Sequence, residues 1–256
     1  MKVQLRRNLE ELVGVISSVN KLAEQGCTSE VSQITTKDGS YIVKSSVKEK
    51  YREWLKAEAH VLKSLNGTHS IQVPTYHGFI EEQDSSHLIM SFEEGITLTA
   101  ALKDAKDLQE KKRLLRSFGQ FLQELHEMQT IESLSHTNDW LDYQLVRAER
   151  YVRSNQTGGT AQLLEKLRAN KPQPVKQTMI HGDCTPDNAL VMEGEVHLFI
   201  DVAGMTVGDP RYDESLAISR FVDHDELIQA FYEGYTRYKV TKEEFRYFDE
   251  GLYEFF

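Results

Sequence analysis

The stretch HGDCTPDNALVMEGEVHLFIDV, His181 to Val202, carries Asp183, then Asn188 five residues on, then Asp201 eighteen residues beyond Asp183. The runs ALVM and VHLFI are strand-prone and separated by EGE. A two-residue turn at Gly194–Glu195, with Gly first as a type II′ turn prefers, pairs Glu193 with Val196. Counting back along that register sets Asn188 opposite Asp201, and directly opposed residues of an antiparallel ladder have Cα atoms roughly 4.5–5.5 Å apart. Both side chains then reach one point at the open end of the hairpin, moving the turn by one residue still leaves them near, and Asp183 sits on the loop leading into the first strand. Carboxylate and amide oxygens gathered in this way suit a hard cation such as Mg2+.

A second feature lies upstream. In YREWLKAEAHVLKSL the residues Tyr51, Trp54, Leu55, Val61, Leu62 and Leu65 fall on one helical stripe, and Glu58 sits at its centre. A carboxylate there is costly unless paired. Lys44 in the strand-like run YIVKSS is the natural partner, sharing an inward face with Ile42. The other reading is an open helix edge from which Glu58 reaches water.

These residues need elements to hold them. The chain divides at about Glu94–Gly95, giving an N-terminal lobe over 1–93 and a C-terminal lobe over 94–256. Strand-like runs such as SYIVKSS and HLIMSF and two helical patterns come first; long amphipathic helices such as LQEKKRLLRSFGQFLQELHEM follow, interrupted by the hairpin. The 256 residues, 39% of them hydrophobic, are enough for a substantial core. No apolar run approaches the length of a membrane span, and Cys27 and Cys184 are too far apart to suggest a zinc or disulfide framework. A reducing cytoplasm is expected, with no membrane. Residues 181–256 hold 17 acidic against 6 basic residues, 6 − 17 = −11, so the whole of the chain's net charge of −10 lies there and the first 180 residues carry about +1. The lack of a basic cluster argues against nucleic acid, and the acidic end favours either a cationic ligand or simply a solvated surface.

His181-Gly182-Asp183, Asn188 and Asp201, preceded in order by Lys44 and Glu58, resemble the nucleotide and catalytic set of the aminoglycoside phosphotransferase family, which has a protein-kinase-like fold. LIMSFEEG is similar to that family's inter-lobe strand and hinge, LQELHEM to its helix ending in Leu-His, GDPRYDES to the segment after its metal loop, and FDEGLYEFF to the C-terminus of aminoglycoside 3′-phosphotransferases. The resemblance implies an α+β, bilobal fold: a small antiparallel sheet with one main helix binding the nucleotide, and a larger, mainly helical lobe with the catalytic hairpin. It implies ATP and Mg2+ as cofactors. Lys44 would hold the α/β-phosphates and Glu58 would hold Lys44; Asn188 and Asp201 would bind Mg2+, and Asp183 would act as base on the acceptor hydroxyl. Thr28 and Ser29 would meet phosphate, and Ile42, Met90, Ser91 and Glu93 would line the nucleotide pocket.

The chain also departs from the pattern. The phosphate loop EQGCTSEVSQI has a single glycine, Gly26, and little room exists after Asp201 for a peptide-docking activation loop. Asp209 before Pro210 reads as a helix N-cap, His126 as core or surface, and Cys184 has no histidine pairing pattern to make it a nucleophile. For the acceptor, the resemblance points to Asp223, Asp225, Glu226, Glu254 and the carboxylate of Phe256 as holders of amines. Arg150 and Arg153 stand where 3′-phosphotransferases carry acids. The implied activity is phosphoryl transfer to an aminoglycoside or amino sugar, hence antibiotic resistance; a kinase for choline or homoserine and a non-catalytic nucleotide-binding regulator are the alternatives. Monomer and homodimer both remain open.

Overall fold

The computed structural model describes residues 3–22, 25, 28–67, 71–136 and 139–256. Gly26 and Cys27, the centre of the expected phosphate loop, lie outside the described residues. The chain forms two compact units: Met1–Glu94 with Phe199–Ala203, and Gly95–Leu198 with Gly204–Phe256.

The first unit opens with α1 (Val3–Val13), followed by β1 (Ile16–Lys21), β2 (Glu30–Thr36), β3 (Ser40–Ser46), α2 (Glu49–Leu65), β4 (Tyr76–Glu81) and β5 (Ser86–Ser91). The strands make one antiparallel sheet in the order β1-β2-β3-β5-β4. Alternation along β3 explains how both faces are used. Val43 joins Leu5, Leu9, Val13, Ile16, Ile34 and Ile89 in an apolar cluster that seats α1. Lys44, on the opposite face, meets α2 through Glu58. The hexad of apolar positions expected on α2 is buried at Leu55, Val61, Leu62 and Leu65, and only partly at Tyr51 and Trp54. The short return Phe199–Ala203 joins this unit, the Phe199 N–H donating to the Gln72 carbonyl at 3.1 Å.

The second unit is mainly helical. It contains β6 (Ile96–Thr97), α3 (Leu98–Asp104), α4 (Leu108–Glu127), α5 (Trp140–Arg153), α6 (Ala161–Ala169), β7 (Thr178–Ile180), β8 (Ala189–Met192), β9 (Glu195–Phe199), β10 (Thr206–Gly208), α7 (Pro210–Ile218), α8 (Asp225–Gly234) and α9 (Lys242–Phe248). It ends in a 3-10 turn, Leu252–Phe255. Its core gathers Trp140, Leu145, Leu164, Tyr212, Leu216, Phe248 and Phe255 from five of these elements. Side-chain caps start most of the helices: Asp107 for α4, Asp139 for α5, Thr160 for α6, Asp209 for α7, and a full capping box, Thr241 with Glu244, for α9. The expected N-cap role of Asp209 is therefore observed.

The hairpin forms, with its turn one residue earlier than expected. Its central residues are Glu193 (φ 54) and Gly194 (φ 84). Positive φ at both is the type I′ pattern, whose twist matches that of the strands, and it sets Met192 against Glu195. The register therefore shifts, and Asn188 no longer falls directly opposite Asp201. Asp201 itself adopts φ 56, a left-handed conformation just beyond β9 that ends the strand.

Candidate active site

In the first unit three expected residues meet. Lys44 Nζ donates to Glu58 Oε1 at 2.7 Å and to Asp201 Oδ1. β3 presents Lys44 between Val31 of β2 and Leu88 of β5; α2 presents Glu58 from its buried stripe. Glu58 is only 4% exposed, so the pairing holds and the water-facing alternative does not. Burial works against the lysine's charge, but the two carboxylates outweigh it and raise the Lys44 pKa above its ordinary value. Burial raises the Glu58 pKa against the pull of Lys44 and the Val202 N–H. The three charges thus form a set in which removing one member leaves others unbalanced.

Around it, Ser29 Oγ lies 2.8 Å from Ser46 Oγ, and the Thr28 carbonyl accepts from Ser46 Oγ at 2.9 Å. Ile42 is paired across the sheet with Met90. Ser91 Oγ accepts the Thr75 N–H at 2.7 Å and donates to Glu93. All these expected nucleotide-side residues therefore sit on β3, on β5 or on the segments just before β2 and after β5.

In the second unit the loop after β7 carries His181, Gly182 and Asp183. Its backbone is held from beneath by Asp213 of α7, a fully buried carboxylate accepting the N–H of His181 at 2.6 Å and of Gly182 at 2.8 Å. Gly182 has φ 79, and a Cβ there would run into the Gly204 backbone, so this position needs glycine. His126 lies across from Asp213 at 3.3 Å, with Tyr235 on its other ring nitrogen at 2.8 Å; the expected core role of His126 is thus a buried polar one.

Asp183 is held in turn. The Asn188 amide nitrogen donates to both its carbonyl (2.9 Å) and its Oδ2 (2.8 Å), and the Tyr253 hydroxyl donates to its Oδ1 at 3.0 Å. Donors on both oxygens fix the orientation of this carboxylate. Cys184 is fully buried; burial first, then the nearby Asp213 and Asp183 charges, push its thiol well above the usual range. It stays a thiol, which removes it as a nucleophile.

A sequence profile of the phosphotransferase enzyme family, APH, matches residues 20–248. The chain belongs to that family. Among solved structures, an aminoglycoside-3′-phosphotransferase of type VIII shares 20% identity over 92% of each chain, with a TM-score of 0.75. A thermostable mutant of aminoglycoside phosphotransferase APH(4)-Ia, in ternary complex with ADP and hygromycin B, matches at 17% identity over 92% of this chain and 84% of its own, with a TM-score of 0.67. Macrolide 2′-phosphotransferase MphH from Brachybacterium faecium matches at 17% identity over 96% and 86%, with a TM-score of 0.61. No curated protein matches. The expected protein-kinase-like α+β fold is the fold of this APH phosphotransferase, and no helix among its described residues is long and apolar enough to cross a membrane.

The donors suit Mg2+ in kind. In the second unit the Asn188 nitrogen is committed to Asp183, which leaves its carbonyl oxygen as an acceptor; in the first unit the Asp201 side chain is 49% exposed. Mg2+ is commonly held by one or two protein oxygens, with phosphate and water completing its shell. Among the described residues no group of three or more His, Cys, Asp or Glu forms a closed metal cage.

The expected acceptor-side acids are scattered. Asp223 and Asp225 are exposed at the start of α8, Glu226 pairs with Lys112 of α4 at 2.8 Å, and Glu254 is exposed with its backbone carbonyl accepting from Thr157 Oγ1. The Phe256 ring packs on Tyr151, with the Arg147 guanidinium 4.9 Å from its centroid. The residue of the chain end that meets Asp183 is Tyr253. Sequence reasoning passed over it and over Asp213. Asp213 gives a signal only through α7, where a run of charged residues is buried on every side.

Proposed function

We propose that this phosphotransferase moves the γ-phosphoryl group of ATP to a hydroxyl of a small, amine-bearing acceptor such as an aminoglycoside or amino sugar. The N-terminal lobe over 1–93 binds the nucleotide, and the C-terminal lobe over 94–256 carries the base and the acceptor. The observation that carries this reading is Asp183, a carboxylate clamped by Asn188 on a loop that Asp213 fixes.

The roles follow from the reaction. Phosphoryl transfer leaves the protein mainly positioning and charge neutralisation. Lys44, steered by Glu58, meets the α/β-phosphates, with Thr28, Ser29, Ile42, Met90, Ser91 and Glu93 along the nucleotide. Asp201 and Asn188 would hold Mg2+, whose positive charge would offset that of the phosphates. Asp183 orients the acceptor hydroxyl and takes its proton as the new P–O bond forms and ADP departs. Asp223, Asp225, Glu226 and Glu254 supply negative charge for amines beside Phe256, and the protein works in the cytoplasm, as monomer or homodimer.

The solved relatives include one in complex with hygromycin B and a macrolide 2′-phosphotransferase, so the acceptor needs direct testing. Purified protein with Mg-ATP and a panel of kanamycin, hygromycin B, choline and homoserine should release ADP with an aminoglycoside, and Asp183→Ala should slow that release by about 10²–10⁴-fold. Release with choline or homoserine alone would replace the acceptor class and keep the chemistry. No release with any hydroxylated amine would refute the reading.

A further inference from the structure

Asp183 has one oxygen committed within its own loop and one facing the end of the chain. Asn188 Nδ2 holds Oδ2 at 2.8 Å and also binds the Asp183 carbonyl at 2.9 Å, which fixes the rotamer. Oδ1 takes the hydroxyl of Tyr253 at 3.0 Å. That is a hydroxyl donating to a general base, within the roughly 2.6–3.2 Å over which such a base engages its substrate. We propose that Tyr253 is a specificity-determining residue: its hydroxyl holds the position on Asp183 that the acceptor hydroxyl takes during transfer, and only an acceptor able to displace it reaches the base. The inference rests on Asp183 being the base.

The surroundings support displacement of one side chain. The turn Leu252–Phe255 is anchored by Leu252 and Phe255, both fully buried, while Tyr253 between them is partly exposed. Its ring meets Tyr212 edge-on at 6.5 Å. The side chain can therefore swing out while its neighbours keep the turn in place. Burial first and then the Asp183 charge raise the Tyr253 pKa, so the phenol remains a donor. With the Oδ1 position engaged by a phenol, the enzyme keeps that position from an attacking water, and ATP is spared from hydrolysis until an acceptor arrives.

The test is Tyr253→Phe in the full chain, with its melting temperature as folding control. With water as the sole acceptor, ADP release from Mg-ATP should rise by about tenfold, the equivalent of ~1.4 kcal/mol, and adding Asp183→Ala should remove the rise. With kanamycin as probe, KM should fall while kcat for transfer holds. Unchanged or slower ADP release without acceptor, or a lowered kcat at constant KM, would overturn the proposal, the latter because Tyr253 would then be orienting Asp183. Should the Phe variant not fold, 3-fluorotyrosine at position 253 gives a second reading: its fluorine resonance must move on Asp183→Ala, and an unmoved resonance overturns the contact. If kanamycin is not phosphorylated but acceptor-free hydrolysis still rises in Tyr253→Phe, the aminoglycoside reading fails and this one stands. Phosphorylation of kanamycin with no response to Tyr253→Phe does the reverse.

Discussion

Removing Lys44 and removing Glu58 should not be equivalent. Lys44 is bonded to two carboxylates, one buried and one half-exposed. Glu58→Ala leaves Lys44 still beside Asp201, so the lysine keeps one counter-charge, and a cost of about 2 kcal/mol is expected from the lost charged hydrogen bond. Lys44→Ala leaves Glu58 buried without its cation, and breaking a buried pair in that way costs about 3–5 kcal/mol. The double variant has neither orphan charge and should cost less than the sum, with a coupling of about 1–3 kcal/mol. Urea unfolding of the four proteins, followed by a probe in the first unit such as Trp54 fluorescence, measures the cycle. Kinetics should agree: KM for ATP rises in both single variants, more in Lys44→Ala. Additivity within about 0.5 kcal/mol would show that the two residues act independently. Glu58→Ala costing more than Lys44→Ala would refute the reasoning from charge imbalance.

Asp183→Ala should lower kcat by about 10²–10⁴, as loss of a general base does, while Mg-nucleotide affinity, read by titration with a fluorescent ATP analogue, stays near wild type; Asp201→Ala should weaken that affinity. Glu214, buried on α7 beneath the Tyr232 hydroxyl (2.7 Å) and the Val240 N–H (2.6 Å), has its carboxyl pushed up to about 7, by burial first and by the Glu244 and Asp209 charges after the two opposing hydrogen bonds. A folded pKa above the unfolded value gives stability that is full below pH ~4.5 and is lost as pH rises to about 7, on the order of 3 kcal/mol over that window. Melting curves of wild type and Glu214→Gln should therefore diverge from pH 5 to pH 8 in favour of the Gln variant, and parallel curves would refute the assignment. Glu254→Gln should raise KM for a cationic acceptor and spare KM for ATP. Deleting Phe255 and Phe256 is the poorer test, since Phe255 is fully buried and losing a buried Phe side chain costs about 3–5 kcal/mol by itself.

What was legible in the sequence was what periodicity and residue type carry. Glu58 at the centre of an apolar stripe demands a partner by energetics alone, and Lys44 at the matching strand face supplies it at 2.7 Å. Asp209 before Pro210 is a local signal, and it caps α7 as such signals do. The hairpin was legible as a hairpin but its turn was not: Glu193 at φ 54 is a conformation that sequence preference assigns to Asn, Asp or Gly, so local preference puts the turn one residue late. What stayed hidden is long-range. Nothing local says that the Asp213 carboxylate reaches back 32 residues to the His181 N–H, or that Tyr253 reaches back 70 to Asp183. The resemblance and the acidic composition point to Glu254, yet the 3-10 turn directs the neighbouring Tyr253 to Asp183 and leaves Glu254 exposed. Two adjacent residues on such a turn point in directions about 120° apart, so a shift of one residue decides whether the chain end offers the acceptor a charge or a hydroxyl rival.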